Sequence, residues 1–224
     1  MSDLAERLQE HTRRIRAAAE SAGRDPADVE MLPITKYASS EALRELHGLG
    51  HQRMGESRLP TLTQKASDLA DLNIEWVQIG HLQRNKVRPV LALVSEVQSV
   101  DSLRLAQAIN TAAEGAGVTV QAYVQVNASG EEAKSGFPPD QVLDALPGLH
   151  DLAHIRWLGF MTMAAISSDP EVTRATFRRV RELRDQSVEA GFNMPQLSMG
   201  MSHDYPIAIA EGATCVRLGS ALFG

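Results

Sequence analysis

Apolar residues follow two different periods along this chain. Short runs such as 74–80 and 118–126 are continuously apolar or alternate with polar residues, a pattern typical of strands. Between them, stretches such as 40–49 and 170–190 place apolar residues three or four positions apart, as amphipathic helices do. Capping residues before these stretches and glycines after them mark their ends. The pattern therefore predicts strands and helices in strict alternation.

The alternation predicts a parallel sheet with helices packed on it. We predict strands at 29–36, 53–55, 74–80, 96–100, 118–126, 155–163, 196–199 and 215–219, with a helical segment after each of the first seven. An extra N-terminal helix runs from Asp3 to Gly23. Eight repeats, in a chain near the ~250 residues typical of that fold, favour a single α/β domain over 1–224, a closed (β/α)8 TIM barrel. An open doubly wound sheet is the alternative, but no G-x-G-x-x-G motif follows the first strand.

Composition narrows the functional classes. The net charge is −6, whereas nucleic-acid-binding surfaces are usually basic, so a nucleic-acid partner is not expected. The single cysteine excludes an intramolecular disulfide, which suits the cytoplasm. The N-terminus is a polar helical pattern and not a signal segment, and no apolar run is long enough to cross a membrane. We expect a cytoplasmic protein with no membrane contact.

The first predicted strand ends in a cation, Lys36. Lysine is rarely buried without a function. In an apolar setting its ammonium loses hydration, its pKa falls, and the neutral amine becomes a nucleophile that forms Schiff bases with aldehydes. The alternative is that Lys36 extends from the strand end into solvent, and this segment alone favours that alternative.

Active sites of such barrels lie at the C-terminal ends of the strands. Ser202 follows the seventh predicted strand, and Gly219 with Ser220 ends the eighth. Hydroxyls, a glycine that allows close backbone approach, and a short helix N-terminus suit an anion such as phosphate. Ordinary turn chemistry would explain any one of these residues taken alone.

Arg217 lies inside the last predicted strand, on the same face as Cys215 and Gly219. A buried guanidinium needs an acceptor. That acceptor is either a carboxylate in a structural ion pair or an atom of a ligand, such as a ring nitrogen. Cys215 has no histidine or cysteine near it in the sequence, so we interpret it as a small core residue.

The histidines give little information. His47 and His51 are four residues apart, as are His150 and His154, but neither pair carries the acidic neighbour of an H-E-x-x-H metal site. We interpret them as surface histidines and predict no metal site.

Seven motifs in order resemble the pyridoxal-phosphate homeostasis proteins, which are related to the N-terminal barrel of alanine racemase. They are Ile-Thr-Lys (34–36), Met-Gly-Glu-Ser (54–57), Ile-Gly-His-Leu-Gln-Arg-Asn-Lys (79–86), Lys-Ser-Gly-Phe (134–137), Gly-Phe-Met-Thr-Met (159–163), Leu-Ser-Met-Gly-Met-Ser (197–202) and Val-Arg-Leu-Gly-Ser-Ala-Leu-Phe-Gly (216–224). The resemblance covers nearly the whole chain.

The resemblance implies that Lys36 forms a Schiff base with pyridoxal 5'-phosphate (PLP), that Arg217 faces the pyridine nitrogen, and that Ser202, Gly219 and Ser220 hold the phosphate. It implies a monomeric, non-catalytic carrier in vitamin B6 homeostasis, whose partners are PLP, amino acids and PLP-accepting apoenzymes. Three positions depart from the family. Ser57 replaces an asparagine near the cofactor, His203 replaces an aspartate, and His81 stands where some members have proline.

A PLP-dependent amino-acid racemase is the alternative function. Alanine racemases resemble this chain only over the barrel, and their second domain supplies a tyrosine as a second base from the partner subunit. Here the chain stops at Gly224, soon after the eighth predicted strand. Tyr205 is the one other candidate for that base. We therefore expect racemisation to be absent or marginal.

Overall fold

The computed structural model describes residues 2–131, 134–165 and 167–224. Within them lie eight strands: β1 (Glu30–Pro33), β2 (Arg53–Glu56), β3 (Glu75–Gln78), β4 (Val94–Val100), β5 (Val120–Gln125), β6 (Ile155–Met161), β7 (Gln196–Met201) and β8 (Cys215–Leu218). The α-helices there are α1 (Asp3–Ser21), α2 (Ser40–Gly48), α3 (Leu59–Asp68), α4 (Val87–Leu91), α5 (Leu103–Ala116), α6 (Val142–His150), α7 (Pro170–Glu189), α8 (Tyr205–Ala210) and α9 (Ser220–Phe223). Short 3-10 turns cover Pro26–Asp28, Arg84–Lys86 and Pro139–Gln141.

The strands form one parallel sheet in the order β1-β8-β7-β6-β5-β4-β3-β2. Its two end strands meet through a parallel bridge between Ile34 and Gly55, and the amide of Thr35 donates to the carbonyl of Gly55 at 2.9 Å. The sheet therefore curves into a nearly closed (β/α)8 barrel. This confirms the predicted fold, and the open-sheet alternative is wrong.

The extra helix α1 packs on the C-terminal part of the chain. Leu4, Leu8 and Ile15 are buried on its inner face, next to α8 and α9. The Ser2 side chain accepts a hydrogen bond from the amide of Ala5 and so caps the helix, which begins at Asp3 as predicted. The guanidinium of Arg7 donates to the carbonyl of Leu222 at 2.7 Å. The two ends of the described chain are thereby packed together.

The structure differs from the predicted elements at several places. β1 ends at Pro33, so Lys36 lies in a turn, and the amide of Ala38 donates to the carbonyl of Thr35 at 2.8 Å to close that turn. The helical segment predicted after the third strand is a 3-10 turn followed by the five-residue α4. The final helix α9 was not predicted because its four residues are too few to show a helical period.

Close approach of β6 and β7 depends on Gly159, which pairs with Gln196. A Cβ atom at Gly159 would lie 1.8 Å from the carbonyl oxygen of Gln196. We expect Gly159→Ala to lower the free energy of unfolding by about 3 kcal/mol or more, measured by urea denaturation. Gly115→Ala is the matched control, because Gly115 lies in α5 with no atom within 4 Å of its added Cβ. That change should stabilise by about 0.5–1 kcal/mol, and equal effects of the two substitutions would contradict the prediction.

None of the helices that the structure describes is both long enough and apolar enough to cross a bilayer.

Candidate functional site

A cavity of about 560 Å³ opens at the C-terminal ends of the strands. This is the size of a small-molecule site. It is lined by loops that follow most of the strands and by apolar side chains that include Ile34, Ile79 and Met161. The structure brings all six sequence-predicted site residues to its wall: Lys36, Ser57, Ser202, Arg217, Gly219 and Ser220.

Lys36 reaches the cavity from the turn after β1. The prediction that it is the last residue of a buried strand is wrong, because the strand ends earlier and Lys36 is exposed. Its amine lies 4.6 Å from the centroid of the Tyr37 ring. Among the described residues, no hydrogen bond or ion pair engages this amine. Lys36 is therefore available to a ligand without first breaking a hydrogen bond or an ion pair.

Arg217 is buried in β8 and lacks a carboxylate partner among the described residues. One guanidinium nitrogen donates to the Ser198 hydroxyl at 2.7 Å, and another donates to the Thr162 carbonyl at 2.7 Å. Burial lowers the pKa of Arg217, since desolvation disfavours its charge. The structural ion pair considered from the sequence is not found there. The cavity side of the guanidinium is left for an acceptor on a ligand.

A series of hydrogen bonds through the barrel interior holds Arg217 on the side away from the cavity. The Ser198 hydroxyl donates to Gln98 at 2.7 Å, and the Gln98 amide donates to Glu96 at 2.8 Å. Arg53 in turn donates to the Glu96 carboxylate at 2.6 Å. Burial raises the pKa of Glu96, and the Arg53 charge opposes that rise. Each group on this path has a partner, so the orientation of Arg217 is fixed by the barrel interior.

Cys215 lies next to this path in the apolar interior, packed with Leu32 and Val77. Burial raises the pKa of its thiol to about 12. It is therefore a core residue and not a nucleophile.

The loops after β7 and β8 meet at Ser202 and Gly219. The Ser202 hydroxyl accepts a hydrogen bond from the amide of Ala221 at 3.2 Å, which ties the two loops together. Helix α9 begins immediately after Gly219, so the bond from Ala221 to Ser202 lies in its first turn. Ser220 lines the cavity beside them. Backbone amides and hydroxyls of this kind suit an anion.

Ser57 reaches the wall because Gly80 permits close contact between two loops. A Cβ atom at Gly80 would lie 2.7 Å from the Cβ of Ser57. The amide of Ser57 donates to the buried carboxylate of Glu56 at 2.7 Å. The position of Ser57 is thus set by its neighbours in β2 and β3.

Sequence reasoning assigned no role to two further residues of the cavity. His81 lines it, and its Nδ1 lies 3.1 Å from the Asp101 carboxylate. Lys134 also lines it, and its amine donates to Glu131 at 2.7 Å and to the Ala164 carbonyl at 3.0 Å. His81 directly follows the predicted end of the third strand, and this position indicated that it could lie in the cavity wall. Lys134 lies in a loop, where no helix or strand periodicity could indicate its position.

Tyr205 does not reach the cavity. It lies on α8, fully buried, with its hydroxyl 3.0 Å from the ring nitrogen of His11 on α1. Burial raises the pKa of this phenol. Tyr205 was the residue that the sequence offered as a second base. It lies outside the cavity, so that prediction was wrong.

The charge of the cavity wall is positive. Lys36, Lys134 and Arg217 line it, and no aspartate or glutamate does so within the described part of the chain. In the same part of the chain, no group of three His, Cys, Asp or Glu side chains is arranged to hold a metal ion. For a chain of net charge −6, this local concentration of cations favours an anionic ligand.

Comparison with known proteins agrees with this geometry. Residues 5–224 match the family model described as alanine racemase, N-terminal domain. The chain is 38% identical over 223 residues to the pyridoxal phosphate homeostasis protein of Aquifex aeolicus, covering 99% of this chain and 98% of that protein. PipY of Synechococcus elongatus PCC7942, solved with PLP bound, is similar with a TM-score of 0.83 and 31% identity over 99% of this chain and 100% of that chain.

Alanine racemase of Clostridium difficile 630 shares the fold, with a TM-score of 0.77 and 19% identity. The match covers 99% of this chain and 56% of that chain. The chain therefore belongs to the alanine racemase N-terminal domain family, among the pyridoxal phosphate homeostasis proteins.

Proposed function

We propose that this protein binds pyridoxal phosphate in intracellular vitamin B6 homeostasis, holding it as a Schiff base on Lys36 without catalytic turnover. One observation carries the proposal. A cavity in an acidic chain presents an unengaged lysine and a buried arginine, with no carboxylate in its described wall. PLP is an anion that carries an aldehyde and a ring nitrogen, and each of these has a matching group in the cavity.

The residues present fit the cofactor. Ile34, Ile79 and Met161 offer apolar surface for the ring. Arg217 would donate to the ring nitrogen, while Ser202, Gly219 and Ser220 would hold the phosphate. Bound PLP supplies an aldehyde that an amine captures reversibly: the nitrogen of Lys36 bonds to the aldehyde carbon, and the oxygen leaves as water.

A visible spectrum tests the proposal most directly. Purified protein mixed with PLP should show an imine absorption band, and an added amino acid should shift that band if it displaces Lys36. Absence of a band at saturating PLP would refute the Schiff base.

Arg217 also supports the absence of catalytic turnover. An arginine is charged at any accessible pH, so it donates a hydrogen bond to the ring nitrogen but does not readily give it a proton. An unprotonated ring is a weaker electron sink, and carbanion stabilisation is the main chemical contribution of PLP. Arginine alone does not forbid racemisation, because racemases resembling this barrel use one too.

An amino-acid racemase is the second candidate, favoured by the His81 and Asp101 pair. The carboxylate orients the imidazole, and His81 lines the same cavity as Lys36. A racemase needs two acid–base groups on opposite faces of the cofactor, and His81 is an acid–base group within the cavity wall. Tyr205 offers no such group, because it is bonded to His11 away from the cavity.

We expect exchange of the α-hydrogen of alanine or serine in heavy water to be far slower than ~1 s⁻¹, the lower end of ordinary enzyme rates. NMR of the loaded protein measures this directly. Exchange at ~1 s⁻¹ or faster that is lost in both Lys36→Ala and His81→Ala would overturn the carrier function and favour the racemase.

We propose that amino acids and PLP-accepting apoenzymes are the physiological partners. An amino acid would compete with Lys36 for the aldehyde and so release the cofactor. Incubating loaded protein with an apoenzyme, and following recovery of the apoenzyme's activity against free PLP at the same concentration, tests this role. Recovery no greater than that from spontaneously released PLP would contradict it.

A further inference from the structure

A buried ion pair lies behind the cavity wall. Lys65 on α3 is 5% exposed, and Glu56 at the end of β2 is 0% exposed. The amine of Lys65 lies 2.8 Å from the Glu56 carboxylate. Neither residue lines the cavity. The sequence offered a weak signal for this pair, because Lys65 follows Leu62 by three positions on the apolar side of its helix.

Fold stability is a poor explanation for such a pair. Removing two charges from water costs several kcal/mol per ion, and well-packed apolar residues often replace a buried pair without loss of stability. The other contacts of Lys65 and Glu56 indicate a different role.

The Glu56 carboxylate fixes the loop that carries Ser57. One of its oxygens accepts hydrogen bonds from the amides of Ser57 at 2.7 Å and of Arg58 at 3.3 Å. The other oxygen faces Lys65 at 2.8 Å and the Thr35 hydroxyl at 3.4 Å. One carboxylate therefore contacts the loops after β1 and β2 at the same time.

Lys65 fixes the turn that carries Lys36. Its amine donates to the carbonyl of Thr35 at 2.5 Å. The same carbonyl accepts from the amide of Ala38, and this closes the turn around Lys36 and Tyr37. Thr35 is fully buried, whereas Lys36 next to it is exposed. The buried lysine thus holds the backbone from which the cavity lysine projects.

We propose that the Glu56–Lys65 pair positions Lys36 for reaction with the cofactor aldehyde, with Lys65 acting through the Thr35 carbonyl and never as the reacting amine. This inference rests on the proposed function. Its physical basis is that an amine held at the right place reacts much faster than one that samples many positions. The pair touches neither substrate nor cofactor, so both are positioning residues.

The double variant Glu56→Gln/Lys65→Met tests the proposal, since it removes both buried charges and leaves none uncompensated. We expect it to fold with a melting temperature within a few degrees of the parent. PLP should form the imine band at least about tenfold more slowly, because the turn carrying Lys36 loses the bond from Lys65 to the Thr35 carbonyl and is held less firmly. Lys86→Met is the matched control: this lysine is exposed and does not line the cavity, so its loss should leave the rate unchanged.

Hydrogen exchange gives a readout that needs no cofactor. The amide of Ala38 should be protected in the parent protein. In the double variant it should exchange at least about tenfold faster, while buried α2 amides such as that of Leu46 stay protected. A freely exchanging Ala38 amide in the parent would overturn the proposal, whether or not the variant folds.

The outcomes separate this proposal from the proposed function. If the parent forms no imine with PLP, the proposed function fails. If the parent forms the imine and the folded double variant forms it within twofold of the parent rate, the positioning role is refuted and the function stands.

Discussion

Lys36→Ala is expected to abolish the imine absorption band and the covalent attachment of PLP. The reason is geometric, because the Lys36 amine lies on the cavity wall with no protein acceptor among the described residues. Borohydride reduction of the loaded parent, followed by peptide mapping, should place the label on Lys36. Lys86→Ala, at an exposed lysine outside the cavity, should leave the band intact.

Two other lysines make this a discriminating test. Lys134 lines the same cavity, but its amine is held by Glu131 and the Ala164 carbonyl. Lys65 is buried with Glu56 and Thr35. Either would have to give up hydrogen bonds before attacking an aldehyde, whereas Lys36 would not. A label found on Lys65, Lys86 or Lys134 alone would refute the assignment.

Gly219→Val is expected to weaken binding of PLP by roughly 10–100-fold more than binding of unphosphorylated pyridoxal. A Cβ at Gly219 would already lie 3.4 Å from the Ile34 carbonyl, so further methyl groups take space from the cavity next to Ser202 and Ser220. Loss of one hydrogen bond to a charged phosphate costs about 1.5–3 kcal/mol, which corresponds to roughly that factor. Equilibrium titration of both ligands by absorbance measures the difference.

Gly219→Ala is the graded control for this prediction. The backbone at Gly219 has a φ of −111°, which any residue adopts, and the added Cβ makes contacts near the ordinary van der Waals range. Its effect on PLP should therefore be much smaller than that of valine. Equal weakening of PLP and pyridoxal by Gly219→Val would mean that the phosphate is bound elsewhere in the cavity.

The sequence by itself determined the architecture and the end of the barrel that carries the site. Strict alternation of strand and helix periods leaves few topologies, and parallel strands bring all their C-terminal ends to one edge. Residues far apart in the chain, such as Lys36, Ser202 and Gly219, could thus be assigned to one cavity from their strand-end positions. Period two also placed Arg217 on the same face of its strand as Gly219, and both line the cavity.

Only the tertiary structure decided what each of these side chains contacts. Periodicity gives the face on which a residue lies, but not its partner, because partners come from other strands and helices. It could not show that Arg217 bonds to Ser198 and a carbonyl instead of a carboxylate, or that Tyr205 faces α1.

The burial of Lys36 and Lys65 was likewise decided by the tertiary structure. The sequence left open whether Lys36 is buried at a strand end or extends from it into solvent, and in the structure the chain leaves the strand at Pro33 and Lys36 is exposed in a turn. The buried lysine is Lys65, on a helix face that the pattern would assign to apolar residues. Burial of a charge is decided by whether a partner such as Glu56 lies within reach, and that distance is set only when the barrel closes.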